Sequence, residues 1–86
     1  MEKQLREKGN KTRSSIYGFI VDFITTNGYS PSIREIAEGT GIGSTATVHD
    51  HLYLLEQLGK IHTQEGKPRT ISVSGYKYVR MKTEEK

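Results

Sequence analysis

The segment that decides the fold spans residues 30–52 and reads SPSIREIAEGTGIGSTATVHDHL. Pro31 disfavours helical geometry in the residue before it, so the chain is expected to be extended there. Ser32 and Glu35 have the spacing of a capping box, in which each side chain accepts a hydrogen bond from the other residue's backbone amide. The apolar residues that follow at helical spacing predict a helix of about two turns after Ser32.

Another helix, the third of the domain, is predicted after a tight turn. Gly39 or Gly41 ends the helix that follows Ser32, which is the second of the domain, and Gly41 permits a positive φ in the turn. Ser44 is placed to cap the third helix and Gly59 to end it. With about 100° per residue, one side of this helix is expected to be buried. That stripe centres on Val48 and contains Ser44, His51, Leu52, Leu55 and Leu58.

An amphipathic helix precedes this segment. Its apolar stripe consists of Ile16, Phe19, Ile20, Phe23 and Ile24. We expect Asn10 or Thr12 to cap its start, because Gly9 and Asn10 interrupt the charged residues before it. Asn27 and Gly28 provide its left-handed exit.

After Gly59 the apolar period changes from that of a helix to that of a strand. Ile61 and Thr63 are predicted on one face of a strand, Ile71 and Val73 on the returning one, and residues 64–68 as the hairpin loop. Three helices followed by a hairpin predict a mainly α winged helix-turn-helix domain over residues 11–73. Residues 1–10 are expected to be a flexible tail, and residues 74–86 a C-terminal tail with a possible extra strand over 74–81.

Composition excludes several classes of protein. The chain has 86 residues, no cysteine and a formal charge of +3, which predicts one small domain without disulfides or thiolate metal sites. No apolar run reaches the roughly 20 residues of a membrane span, and the charged N-terminus lacks a signal-peptide core. We therefore expect a cytoplasmic protein with no membrane contact.

The polar face of the third helix carries the strongest functional signal. A solvent-facing helix usually uses Glu, Lys, Gln or Arg, yet this one opens with Ser-Thr-Ala-Thr. Short side chains let a helix approach base edges, and a thymine methyl packs against alanine or threonine. The alternative is an ordinary solvated surface. The candidates for reading bases in the DNA major groove are Ser44, Thr45, Ala46, Thr47, His49 and Asp50.

A second set of residues can contact DNA phosphates. It lies at the start of the second helix, on the third helix, and in or beside the hairpin, where basic residues outnumber acidic ones. For Lys60, Lys67 or Arg69 taken singly, ordinary solubilising charge is an equal alternative. The candidates are Ser30, Arg34, Tyr53, Lys60, Lys67 and Arg69.

The histidines do not predict a metal site or catalysis. His49 and His51 are two residues apart on a helix and point in nearly opposite directions, so they cannot chelate one ion. His51 is expected to be a hydrogen-bonded core residue, and His62 a solvent-facing strand residue. The sequence offers no nucleophile with a base and no phosphate-binding glycine loop. We predict no enzyme activity, no metal and no cofactor, and no small-molecule ligand is evident.

The chain resembles the N-terminal DNA-binding domain of the LexA repressors, especially the Gram-positive form. The resemblance covers residues 11–73 and rests on four ordered segments, NGYSPSIREIA (27–37), STATVHDHL (44–52), LEQLGKI (55–61) and KPRTI (67–71). It implies transcriptional repression, as in the SOS response, with the third helix in the major groove of a palindromic operator. The family's base-reading positions correspond here to Ser44, Ala46, His49 and Asp50.

Three departures from the family pattern matter. Ala46 stands where some family members have an asparagine that can read adenine. His49 with Asp50 replaces a glutamate pair of other branches, which implies an altered or a Gram-positive-type operator specificity. The self-cleaving C-terminal domain of the family is expected to be missing, and no Ala-Gly cleavage bond occurs, because Ala37 is followed by Glu and Ala46 by Thr. We expect no intrinsic damage-triggered cleavage, in either a stand-alone regulator or a fragment.

Two other functions are left open by the residues. A protein-interaction module, such as an anti-repressor or a heterodimer partner, would use Tyr29 or the edge of residues 76–79. Replication-origin binding would use the same DNA chemistry at another site. A palindromic target favours a homodimer, formed only on DNA or through residues 74–86.

Overall fold

The structure is a computed structural model, and it describes residues 2–64 and 66–75, with side chains from residue 9 onward. Its elements are α1 (Glu2–Asn27), α2 (Ile33–Thr40), α3 (Thr45–Gln57), β1 (Ile61–His62) and β2 (Ser72–Val73). The strands pair antiparallel, with Ile61 opposite Val73. The two strands and their connecting loop, residues 61–73, form the wing. This architecture confirms the predicted winged helix-turn-helix.

Helix α1 begins earlier than the sequence predicted. It starts at Glu2 instead of at Asn10 or Thr12, and Gly9 lies inside it. The residues before Gly9 are mostly strong helix formers, and one interior glycine costs only about 1 kcal/mol, too little to break the helix. Asn10 does not cap α1; its Oδ1 accepts a hydrogen bond from the Arg13 guanidinium instead.

The core lies between the three helices and the base of the wing. Its buried members are Ile16, Ile20, Ile36, Ala37, Val48, Leu52, Leu55, Ile61 and Ile71. The predicted stripe of α3 is only partly confirmed, because Ser44 and Leu58 are exposed. Ser44 is an extended cap residue, to which the angular repeat of the helix does not apply. Leu58 lies beyond the last helical residue and is 61% exposed.

The turn between α2 and α3 and the start of α2 agree closely with the sequence prediction. Ser32 Oγ accepts from the Glu35 amide at 3.1 Å, and Glu35 Oε1 accepts from the Ser32 amide at 2.9 Å, which confirms the capping box. Gly41 ends α2 with φ of 75°. The Ile42 amide then donates to Ala37 O at 3.0 Å, so the chain reverses within one turn.

Helix α3 is closed at both ends by predicted residues. Ser44 Oγ accepts from the Thr47 amide at 3.3 Å, and Gly59 follows the last turn with φ of 78°. The Lys60 amide donates to Leu55 O at 2.9 Å, which completes the capping of the helix end. These bonds fix where α3 begins and where the chain leaves it for the wing.

The strands of the wing are shorter than predicted. Pairing covers two residues in each strand and reaches neither Thr63 nor Ile71. The side chain of Thr70 replaces the missing pairing, since its Oγ1 accepts from the Gln64 amide at 2.9 Å. His62 is exposed, as predicted. Beyond Gly75, the predicted extra strand lies outside the described residues.

Candidate functional site

The surface of α3 opposite the core is exposed from the start of the helix. Ala46, His49 and Asp50 are all exposed, and Tyr53 is 62% exposed. Together with the capping residues at the start of α3, they form one continuous patch. We call this patch the open face; it comprises Ser44, Thr45, Ala46, Thr47, His49, Asp50 and Tyr53. Thr47 is half-buried and the other members are exposed.

The side chains of the open face have few partners within the protein. In the part of the chain that the structure describes, Ser44 Oγ caps α3, and no other side chain of this patch forms a hydrogen bond or an ion pair. The hydrogen-bond donors and acceptors on the side chains from Thr45 to Asp50 are therefore available to a ligand. The face also carries little bulk near its start, so another molecule can approach the helix backbone closely.

Two predicted phosphate-binding residues are exposed near this helix-turn-helix unit. Arg34 is exposed in the first turn of α2, and Lys67 is exposed in the loop of the wing. No ion pair involves either residue over residues 9–64 and 66–75. Their charges are therefore open to solvent.

Ser30 does not fit the predicted phosphate contact. It is only 7% exposed, and its Oγ accepts from the Ile71 amide at 3.0 Å while donating to Pro31 O at 2.9 Å. Its hydroxyl is thus occupied inside the protein. Ser30 instead joins the wing to the segment before α2, and this placement does not favour the predicted phosphate contact.

Arg69 is also occupied by contacts within the protein. Its Nη1 and Nη2 each donate to one oxygen of Glu35 at 3.0 Å, and Nη1 also donates to Ser30 O at 3.2 Å. The guanidinium lies 5.4 Å from the centroid of the Tyr29 ring. We call Ser30, Glu35 and Arg69 the wing clamp, because these residues fasten the wing to the capping box of α2.

The wing clamp affects the pKa of Glu35 and the backbone conformation of Arg69. The Arg69 guanidinium, followed by the Ser32 amide, lowers the pKa of Glu35 below its usual range. Arg69 has φ of 55°, a conformation that side-chain-bearing residues rarely adopt, and its contacts with Glu35 hold it there. The sequence prediction missed the clamp because its partners are 34 or more residues apart, and no local spacing pattern links them.

Lys60 lies against α1. Its Nζ is 5.3 Å from the centroid of the Tyr17 ring, in cation–π geometry. The side chain lines a cavity between α1 and the end of α3. Lys60 therefore contacts α1 and this cavity, apart from the open face.

Comparison with known proteins identifies the family. The family profile described as the LexA DNA binding domain matches residues 3–70. The chain belongs to this family. It is 46% identical over 63 residues to the LexA repressors of Staphylococcus aureus (strain USA300) and Staphylococcus haemolyticus (strain JCSC1435), and likewise to that of Staphylococcus epidermidis. Each alignment covers 73% of this chain, which spans 30–31% of the length of those relatives.

The match to the LexA DNA-binding domain includes the open face. Residues 3–70 contain α2, α3 and all of α1 except Glu2, together with the whole open face and all three residues of the wing clamp. The match ends just before β2. The resemblance drawn from the sequence motifs is therefore confirmed at the level of the family.

His51 departs from the expected role of a hydrogen-bonded core residue in this LexA domain. Its Nδ1 is buried and has no hydrogen-bond partner among the described residues. Burial, with the charge of nearby Arg13, lowers the pKa of the imidazole. In the described part of the chain, no cluster of three His, Cys, Asp or Glu residues could hold a metal ion. Over the same residues, no helix combines the length and apolarity needed to cross a membrane.

Proposed function

We propose that this chain binds double-stranded DNA sequence-specifically and acts as a LexA-like transcriptional repressor. The observation that carries the proposal is the open face, an exposed patch of small and polar side chains at the start of a helix that follows a tight turn. A helix presented in this way fits the major groove with its N-terminal end toward the bases. The family match and the names of the staphylococcal relatives support the same function.

The chemistry of the open face favours base reading. Ala46 and the methyl groups of Thr45 and Thr47 are suited to packing against thymine methyls. His49 can donate to or accept from a purine edge, and Asp50 can accept from the amino group of cytosine. Ser44 lies closest to the helix N-terminus, where hydroxyl and amide groups favour negative charge.

Phosphate contacts are assigned to residues whose side chains are not engaged elsewhere. Arg34 and Lys67 are exposed cations, and Tyr53 extends the open face toward the backbone of the duplex. The wing clamp holds the wing, which carries Lys67, against the start of α2, which carries Arg34. Such contacts fix the register of α3 but carry no sequence information of their own.

The proposed target is a palindromic operator bound by two copies of the chain. Each copy reads one half-site, and the two-fold symmetry of the site matches that of the pair. We infer that the homodimer forms on DNA, where the half-sites bring two copies together. Occupancy of the operator would then exclude RNA polymerase and repress transcription.

The protein-interaction alternative has less support. Its proposed contact residue Tyr29 is 54% exposed, but its ring packs edge-on against Phe23, with 5.5 Å between ring centroids, and lies under Arg69. Its second proposed surface, over residues 76–79, lies outside the described residues. DNA binding through the open face therefore remains the better-supported function.

Selection of bound sequences from a random duplex pool tests the proposed target. We expect a palindrome whose half-site centres lie about 10 base pairs, or a multiple of this spacing, apart. Affinity should fall with salt, by about 0.9 log units per log unit of salt for each phosphate neutralised. Recovery of no enriched sequence, with binding that depends on salt alone, would contradict base reading.

Gel-shift titrations of three variants separate base reading from phosphate contact. His49→Ala should cost about 1–3 kcal/mol on the selected site and little on random DNA. Lys67→Ala should weaken both alike and reduce the salt slope by about one. Gln57→Ala is the matched control, since Gln57 is exposed on α3 far from its start. Equal losses for His49→Ala on both DNAs would refute the assigned roles.

A further inference from the structure

A cavity lies between α1 and the C-terminal end of α3. Its volume is about 430 Å³, within the range of pockets that bind small molecules. Tyr17 and Gly18 of α1 line it on one side, and Leu55 and Leu58 line it on the other. Because Leu55 belongs to the buried side of α3, the cavity lies away from the open face. A ligand bound there would leave the proposed DNA-reading residues uncovered.

Two cations face this cavity from different elements. Arg13 lines it from α1, and Lys60 lines it from the residue just before β1. Neither pairs with a carboxylate among residues 9–64 and 66–75, and none of the residues lining the cavity is acidic. The Arg13 guanidinium donates to Asn10 Oδ1, a neutral acceptor that does not offset its charge. Two cations at one cavity, neither with a carboxylate partner among the described side chains, favour an anionic ligand.

The remaining walls of the cavity favour a ligand in which the anionic group is attached to an apolar group. Tyr17 is half-buried with Lys60 above its ring, and Leu58 is 61% exposed at the rim. Gly18 leaves space, because a Cβ at this position would meet no atom within 4 Å. An apolar group bound against these walls would remove the exposed surface of Leu58 from water.

We propose that this cavity binds a small aromatic anion, an aryl phosphate or aryl carboxylate. The anionic group lies between Arg13 and Lys60, and the ring packs against Tyr17 and Leu58. The site is separate from the open face, and its existence does not depend on the proposed DNA binding.

Chemical-shift titration of the whole chain, without DNA, tests the site. The probes are phenyl phosphate and benzoate, with inorganic phosphate and phenol as matched fragments. We expect phenyl phosphate or benzoate to bind at about millimolar concentration, at least ~10-fold tighter than either fragment. The largest shifts should occur at Tyr17, Gly18 and Leu58. Shifts scattered over surface lysines, or equal binding of inorganic phosphate, would overturn the proposal.

Variants distinguish the cavity from general attraction of anions. Arg13→Gln should weaken phenyl phosphate binding at least ~5-fold, whereas Lys11→Gln, an equal charge change at an exposed position of α1, should leave it unchanged. Gly18→Leu should fill the cavity and abolish binding, with a dispersed spectrum showing that the variant is folded. Equal weakening by Arg13→Gln and Lys11→Gln, or full binding by folded Gly18→Leu, would refute the site.

Discussion

Replacing Ser30 with alanine should loosen the wing without disturbing the helices directly. The substitution removes the hydroxyl that accepts from the Ile71 amide at 3.0 Å. Ser30 is 7% exposed and Ile71 is 8% exposed, so water cannot easily replace the lost partner. A buried amide left unpaired costs about 1–3 kcal/mol. At the middle of that range, a domain of this size loses about 8–16 °C in Tm.

Urea unfolding and amide hydrogen exchange measure this effect together. The free energy of unfolding should fall by about 2 kcal/mol, and the Ile71 amide should lose its protection from exchange. Ser15→Ala is the matched control, because Ser15 is exposed on α1 and forms no side-chain hydrogen bond in the described structure. That variant should change stability by less than about 0.5 kcal/mol. Equal stability of the two variants, with Ile71 still protected, would show that Ser30 does not anchor the wing.

The glycines and His51 provide further tests. Gly39→Ala should destabilise the protein by about 1 kcal/mol in urea unfolding, because its Cβ would lie 2.1 Å from Phe19 Cε1. Gly18→Ala, in open space within α1, should stabilise it by about 0.5–1 kcal/mol, and the reverse ranking would contradict the packing. Because the folded protein lowers the pKa of His51 below 6.5, the unfolded chain takes up the proton first. The free energy of unfolding should therefore decline as pH falls through 6.5, and identical pH profiles for His51→Gln and the wild type would refute this.

Features that depend on residues close together in the sequence could be predicted from it. The capping box of Ser32 and Glu35 and the left-handed residues Gly41 and Gly59 are local devices, and their geometry follows from residue type and spacing. The open face could be located for the same reason, since it is the complement of the stripe around Val48. The ligand of the open face could not be predicted from local spacing, because it depends on the chemistry of a second molecule.

Contacts between distant segments could not be predicted in this way. The position of Arg69 beside an exposed loop predicts a phosphate contact, yet its charge is engaged by Glu35, 34 residues earlier. The position of Ser30 before α2 predicts the same, but its hydroxyl accepts from the Ile71 amide, 41 residues later. Gly9 predicts a late start for α1, whereas the helix continues through it. Each of these features depends on tertiary contacts or on cooperative helix formation, which a local pattern does not contain.

The wing clamp separates the tip of the wing from the part that carries the fold. The strands are fixed at their bases, through the capped end of α3 on one side and through Arg69 and Ser30 on the other. Among the described residues of the loop, Gly66, Lys67 and Pro68 lie between these attachments and are exposed. Tips of another length or charge could be grafted between Gln64 and Arg69 while the helices kept their arrangement. The strength of attachment to a polyanion could thus evolve, or be engineered, independently of the base sequence that we propose α3 to recognise.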